Sequence, residues 1–303
     1  MKIYINREPR EGPWGGGNKT LSSLCEKLKA SGAEVVFDLE PGIDIIFCFD
    51  PRPNNKGLWY QNFLDYKSFS GAKIVQRVGD LGTHSKPELF SLVQQTLPYS
   101  DQVIFPSIWA KNYSGFEGDN FKIIPNRSRG IFFKNRENSD RSISRKPTFV
   151  THHWSNNAKK GFDIYQHIDE SLKDKIDFTY IGRVPDNFSF KNSRYVSPID
   201  DKDLSIALPK FDFYLTASRE EAGANHVLEA MAAGLPVLYH NEGGSIPEYV
   251  GKRGIGYSGV GDLEQKISQL VASYKELRKH VLDYEENISH TIEEYCDLIW
   301  KIS

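Results

Sequence analysis

A chain of 303 residues, 39% hydrophobic and 26% charged, has enough apolar material for real cores and suits two domains or one large one. A formal charge of −2 gives no reason to expect nucleic acid or strong attachment to anionic lipid. The three cysteines, Cys25, Cys48 and Cys296, have neither metal-ligand spacing nor an even count; with no signal peptide at Met1 to Asn6 and no run near about 18 apolar residues, a cytoplasmic protein with at most peripheral membrane contact is expected.

Lys2 to Asn6 alternates as a short strand. Gly12-Pro-Trp-Gly-Gly-Gly-Asn18 follows, then a helical pattern on Leu21, Leu24 and Leu28 that closes at Gly32. Strand, glycine-rich loop and helix start make an anion-friendly turn, and Gly16 and Gly17 let a ligand or another backbone come close. The run is neither G-x-G-x-x-G nor a P-loop, so a plain flexible turn stands as the alternative. Strands are predicted at Glu34 to Phe37, Ile43 to Phe49, Lys73 to Arg77, Gln102 to Phe105 and Lys122 to Ile124, with helical patterns at Glu88 to Leu97 and Ile108 to Tyr113. Alternation of this kind predicts a parallel, doubly wound sheet with its ligands at the carboxyl ends of the strands. The loop Arg77 to His84 is such an end. There Asp80 or His84 can orient an incoming hydroxyl, while a polar loop with a capping Asp is the competing reading.

Phe133 to Lys146 is polar, charged and rich in Ser, Asn and Arg, and reads as a linker. Pro147 to Thr151 opens a second α/β pattern and runs into His152-His-Trp-Ser-Asn-Asn-Ala-Lys-Lys160-Gly161. The paired histidines lack a third ligand at metal spacing. The strand Asp177 to Ile181 precedes Arg183, and Tyr195-Val-Ser-Pro-Ile199 precedes the acids Asp200 to Asp203, which cap a helix start more readily than they bind metal.

Phe211 to Ala217 is a short apolar run suited to a buried parallel strand. Glu221-Ala-Gly-Ala-Asn-His-Val-Leu-Glu229-Ala-Met-Ala-Ala-Gly-Leu-Pro-Val237 comes next. From Asn225 it predicts a buried helix that ends where Gly234 takes a left-handed conformation and Pro236 blocks continuation. Backbone N–H groups around Gly223, Ala224 and Asn225 would then hold a phosphate at the helix mouth. Glu221 lies in that mouth, and Glu229, leaning toward the N-terminus, can face the same place. A phosphate flanked by hydroxyl-binding carboxylates fits a nucleotide-sugar; Glu221 as a dipole partner and Glu229 as a solvated residue is the competing reading. Beyond it come a strand at Pro236 to Tyr239, a loop at Asn241 to Gly244, a capping box Ser245-Ile-Pro-Glu248, an amphipathic helix over Leu263 to Leu282 and a final helix over Ser289 to Ile302.

The stretch from Glu221 to Val237 resembles the E-x7-E motif of retaining glycosyltransferases of family 4, in the GT-B, glycosyl transferases group 1 class. Ser100-Asp-Gln-Val-Ile-Phe-Pro-Ser107 and Lys122-Ile-Ile-Pro-Asn126 are similar to further signatures of that family, the second with Arg127 where a glycine is expected. The resemblance implies two Rossmann-like, doubly wound parallel-sheet domains facing a cleft: an acceptor-side domain over 1–140, joined by a crossing helix at 289–303, and a nucleotide-sugar domain over 146–288. It implies that Glu221 meets the donor sugar, Glu229 the ribose, and the loop of Val196 and Pro198 the base. Gly16 and Gly17 would touch donor phosphate or acceptor, and His84 the donor sugar. Lys160-Gly161 matches the family's G-R-x-x-x-x-K-G, whose Arg and Lys neutralise the diphosphate. The Arg is replaced near Trp154 or Ser155; His152, His153, Ser155 or Asn156 could share its task, or Arg183 could supply the charge instead.

The implied activity moves a sugar from a UDP- or GDP-linked donor to a hydroxyl of a glycan, a lipid-linked or a small-molecule acceptor, with retained configuration and without metal or other cofactor. The missing Arg leaves a non-catalytic or weakly active binder of nucleotide-sugars as the rival. A GT-B epimerase is a second rival; a phosphorylase is disfavoured because no lysine motif for a pyridoxal cofactor is present. Oligomeric state is not legible in the sequence.

Overall fold

The computed structural model describes residues 1–10, 16–136, 143 and 145–302. The predicted glycines at positions 12 and 15, and half of the predicted linker (137–142 and 144), lie outside the described residues. The chain divides into two compact units, Met1–Asn126 with Ile288–Ser303, and Arg127–Asn287.

In unit 1 the strands β1 (Lys2–Ile5), β2 (Glu34–Val36), β3 (Ile45–Cys48), β4 (Lys73–Arg77), β5 (Gln102–Phe105) and β6 (Phe121–Ile123) form one sheet in the order β2-β1-β3-β4-β5-β6. Every pairing is parallel. Helices α1 (Gly16–Ala30), α2 (Tyr60–Ser70), α3 (Pro87–Thr96) and α4 (Ile108–Ser114) make the crossovers. The strand alternation decides which helix covers which face. Ile3 and Ile5 share a core with Leu21, Leu24 and Leu28 of α1, whereas Tyr4 shares one with Tyr60, Phe63 and Tyr66 of α2. Strand order reverses between β1 and β3, which makes the carboxyl ends of those strands the switch point of the sheet.

Unit 2 begins earlier than the sequence reading, which kept residues up to 140 in the first domain. The reason is apolar: the short helix α5 (Ile131–Lys134) buries Phe132 completely and packs Ile131 and Phe133 on a core of this unit. The strands β7 (Thr148–His153), β8 (Asp177–Gly182), β9 (Arg194–Val196), β10 (Phe213–Thr216), β11 (Val237–His240) and β12 (Gly254–Tyr257) form a second parallel sheet, in the order β12-β11-β10-β7-β8-β9. Here the switch point lies between β7 and β10. The unit's other helices are α6 (Phe162–Ser171), α7 (Asp201–Ala207), α8 (Asn225–Ala232), α9 (Ile246–Val250), α10 (Val260–Ala272) and α11 (Tyr274–Leu282). Val150 and Tyr214 point to the core under α8, Phe149 and Phe213 to the core under α6 and α10.

The single helix expected over Leu263 to Leu282 is two. Ser273 leaves helical geometry, so α10 can bury Leu263, Ile267 and Leu270 while Tyr274 turns inward against Phe213, with ring centroids 5.2 Å apart. Val281, further along α11, reaches the core on the other face. Two directions of burial require the break. Asp200 caps α7 as expected, its carboxylate accepting from the Asp203 N–H at 2.9 Å. The last helix, α12 (Ile288–Ile302), belongs to unit 1, where Ile292, Tyr295 and Ile299 pack with the α1 leucines and Thr291 donates to the Pro125 carbonyl at 2.8 Å. Among the described residues no helix is long and apolar enough to cross a membrane.

Two outcomes test this packing. Ile299→Ala deletes a side chain with no solvent exposure and should destabilise unit 1 by about 3 kcal/mol, read as a lower urea midpoint for its unfolding. Asp169 on α6 is buried, which alone would raise its carboxyl pKa, but N–H groups of Lys191, Asn192 and Ser193 at 2.8, 2.9 and 2.6 Å hold it below its ordinary value of 3.8. A depressed carboxyl stabilises the fold above that value and loses its contribution as pH falls through the lower, folded one. Urea titrations between pH 7 and pH 3 should therefore show less acid sensitivity, and lower stability at pH 7, in Asp169→Asn than in the parent.

Candidate functional site

The switch point of the second sheet gathers the charged groups. After β10 the chain passes through residues 217–224 before entering α8, and this loop is pinned to the segment after β11. Glu220 and Glu221 donate backbone N–H to Glu242 and Gly243, and Ser245 donates to the Glu221 carbonyl at 2.8 Å. Glu220 adopts φ 54°, a left-handed conformation unusual for a residue with a Cβ. Facing it, Gly244 has φ 70° and could not carry a Cβ, which would fall 2.5 Å from the Glu221 carbonyl oxygen.

This clamp aims Glu221 at a lysine. The Nζ of Lys160 lies 2.5 Å from Oε1 of Glu221, and both side chains are largely buried. Lys160 ends a single 3-10 turn, Ala158–Lys160, started by Asn157, whose side chain accepts from the Lys159 N–H at 2.9 Å. Gly161 follows with φ 83°, and a Cβ there would sit 2.4 Å from the Ala217 carbonyl oxygen. The Lys-Gly pair of the sequence is thus explained: the glycine lets the lysine's turn lie against the end of β10. Lys159 pairs with Glu220 beside it. An ammonium has three N–H donors, so Lys160 can keep Glu221 and still bind an anion.

Glu229, in the second turn of α8, also has a basic partner. Nε2 of His152, near the carboxyl end of β7, is 2.8 Å from Oε2 of Glu229. Tyr214 fixes the histidine's backbone by accepting from its N–H at 3.2 Å and donating to its carbonyl at 3.3 Å. Nδ1 of His152 is buried without a hydrogen-bond partner. Nε2–H therefore donates to the carboxylate, one of whose oxygens remains for a ligand hydroxyl. His153 and His226 have other work: His153 Nε2 meets the Tyr165 hydroxyl at 2.7 Å, and His226 Nε2 meets Thr216 Oγ1 at 3.1 Å. Burial pushes the Tyr165 phenol up to about 12, so it stays neutral and also accepts from the Ala217 N–H at 3.1 Å.

At the neighbouring strand ends, Arg183 places its guanidinium over the Trp154 ring, 4.6 Å from the centroid. Its backbone N–H donates to His153 and its carbonyl accepts from the Tyr180 hydroxyl at 2.8 Å. Trp154, 48% exposed, is a platform that holds a cation at the position where the sequence pattern leads one to expect an arginine.

The helix mouth is less open than the sequence suggests. Ser245 does not cap its own helix; its Oγ instead accepts from the Ala224 N–H at 3.2 Å, so that amide already has a partner. Gly223 precedes it in the loop and Asn225 begins α8. Val196 ends β9 half-buried against the core, and Pro198 beyond it is exposed. In unit 1, Asp80 spends its carboxylate locally, accepting from the Gly82 N–H at 2.8 Å and from Lys86 Nζ at 2.7 Å, while His84 is half-buried in the same loop. Gly16 and Gly17 form the start of α1. Within unit 2 the structure brings together Lys160 with Glu221 and His152 with Glu229. Sequence reasoning missed the His152–Glu229 bond, the Trp154–Arg183 stack and the role of Ser245, although a histidine near the carboxyl end of a central strand was a usable signal.

The sequence model described as Glycosyl transferases group 1 matches residues 188–291, about a third of the chain and including both glutamates. No curated protein matches by sequence. Among solved structures, sucrose-phosphate synthase from Thermosynechococcus elongatus superposes with a TM-score of 0.69 at 15% identity, covering 100% of this chain and 99% of that one. WaaG, a glycosyltransferase involved in lipopolysaccharide biosynthesis, gives 0.63 at 16% identity with 99% of each chain covered. HepE of Anabaena, solved with UDP and glucose, gives 0.65 at 14% identity with 98% of each covered. With a group 1 domain over residues 188–291 and the GT-B fold throughout, this protein is a glycosyltransferase.

Proposed function

We propose that the protein transfers a sugar from a nucleoside diphosphate donor to an acceptor hydroxyl with retention of configuration, and that unit 2 binds the donor. The observation that carries this reading is the pair of carboxylates at one switch point, each held by its own basic side chain: Glu221 by Lys160 at 2.5 Å and Glu229 by His152 at 2.8 Å. Glu221 accepts from the donor sugar's hydroxyls and Glu229 from the ribose. Lys160 and Arg183 face the diphosphate, and Val196 and Pro198 lie near the base. HepE, of the same fold, was solved with UDP-glucose. Trp154 replaces the family's phosphate-binding arginine, and Arg183 on its ring restores the charge.

In the reaction the bond between the anomeric carbon and the β-phosphate oxygen breaks. The acceptor oxygen bonds to the same face, and its proton passes to the departing phosphate. Negative charge grows on that phosphate, and a preorganised ammonium in a place shielded from water is worth more there than in solvent. No step needs a metal ion. A protein that binds nucleotide-sugars without turning them over is the rival reading, favoured by the lost arginine.

The site assignment makes two expectations. Lys160→Ala should lower kcat by about 100- to 1,000-fold with a much smaller change in KM, because the charge it meets develops in the transition state. Glu229→Ala should weaken nucleotide binding about tenfold, read by calorimetric titration with UDP and GDP. The function itself is tested by following nucleotide release from UDP-, GDP- and ADP-sugars with and without crude acceptor. Release that rises with acceptor supports transfer; tight binding with no release from any donor would establish the rival.

A further inference from the structure

Unit 1 contains a buried cation that the donor site does not use. Arg77 ends β4 with 6% of its surface exposed, and its only side-chain hydrogen bond among the described residues runs from Nε to the Tyr295 hydroxyl at 3.0 Å. Its guanidinium lies over the Phe49 ring, 4.6 Å from the centroid. The backbone beside it is shaped for the group: a Cβ on Gly79 would fall 2.0 Å from Nη1. Among the described residues Arg77 pairs with no carboxylate. Its neighbours differ, since Asp50 binds Arg52 through two oxygens and stands 3.6 Å from Arg7. The terminal nitrogens of Arg77 make no hydrogen bond to the described residues.

The place is the switch point of the first sheet. Asn6, just past β1, fixes Phe49 by accepting from its N–H at 2.8 Å. The first turn of α1 lies on the same ring, where a Cβ on Gly17 would be 3.9 Å from Cε1 of Phe49. That turn contains no acidic side chain, so its amides and positive dipole end are not neutralised from within the helix. A buried guanidinium and a 15-residue helix's start thus share one aromatic ring.

We propose that the carboxyl ends of β1, β3 and β4 form an oxyanion site, built by Arg77 and the start of α1, which takes a phosphate or carboxylate carried by the acceptor. The word acceptor rests on the glycosyltransfer reading; the anion site does not. An acceptor bearing such a group is a phosphorylated sugar, an anionic glycan or a lipid-linked phosphate, and a neutral oligosaccharide lacks the group the site needs.

The test uses the full chain carrying Lys160→Ala and Arg183→Ala, which removes the proposed donor cations, titrated calorimetrically with inorganic phosphate at low chloride. Saturable binding is expected. Adding Arg77→Gln should weaken it at least about tenfold, Arg77→Lys should weaken it less, and Tyr295→Phe should leave it within about twofold. Absence of saturable binding, or equal binding with Arg77→Gln, overturns the site, and a loss with Tyr295→Phe as large as with Arg77→Gln reduces Arg77 to a brace for that tyrosine. With the donor cations intact, Arg77→Gln should leave UDP affinity unchanged; a tenfold loss would assign the anion to the donor and overturn the acceptor assignment. Should Arg77→Gln fail to fold, tungstate soaked into parent crystals decides, with anomalous density at Arg77 supporting the site and density only elsewhere refuting it. Phosphate binding here without any sugar transfer would leave this site standing while the proposed function fell.

Discussion

The candidate site depends on two buried acid–base contacts, Lys160 with Glu221 and His152 with Glu229. Both pairs are largely shielded from water, so each group holds the other in place. The surrounding backbone is arranged to make that geometry obligatory. Gly161 brings the lysine's turn against Ala217, Gly244 admits the Glu221 carbonyl, and Glu220 is forced into a left-handed conformation between them. The strain at Glu220 is matched by hydrogen bonds from both sides of the loop. A carboxylate fixed in this way has little rotamer freedom left to lose when a hydroxyl approaches, which favours binding by preorganisation.

Both sheets place basic side chains by the same rule. Each is parallel and doubly wound, and in each the strand order reverses beside the first strand of the unit. At a reversal, helices leave on opposite faces and open a crevice at the strand ends. In unit 2 that end holds His152, Lys160 and Arg183; in unit 1 it holds Arg77 beside the start of α1. Aromatic rings support two of these cations, Trp154 under Arg183 and Phe49 under Arg77, so the charges are located by packing as much as by ion pairing.

Much of this was legible in the residues. The apolar strand runs and the stop at Gly234, which does take φ 87°, follow from local rules, and the parallel sheets follow from the alternation. The Lys-Gly and Glu-x7-Glu spacings mark loops that the structure brings together, but do not say who touches whom. Glu229 meets His152 across 77 positions of sequence, and no local pattern encodes such a pairing. Ser245 reads as a capping box because its neighbours fit one, yet the nearer unsatisfied donor is Ala224 N–H. The break at Ser273 was hidden because α10 and α11 are each amphipathic, and only the directions of the two cores separate them. Arg77 looked like the end of a strand with a polar loop beyond, since burial of a charge is a tertiary fact.

The discontinuity of unit 1 has a consequence for biogenesis. Its sheet is complete by residue 123, but the α1 leucines are not covered, nor is the Arg77 hydroxyl partner supplied, until α12 is made after all of unit 2. During synthesis a nascent half-domain therefore waits, with an apolar stripe uncapped, while more than a hundred intervening residues emerge and can fold as an uninterrupted block. Docking of α12 is then a late, long-range closure, and the stage before it is when chaperones or proteases have most to recognise.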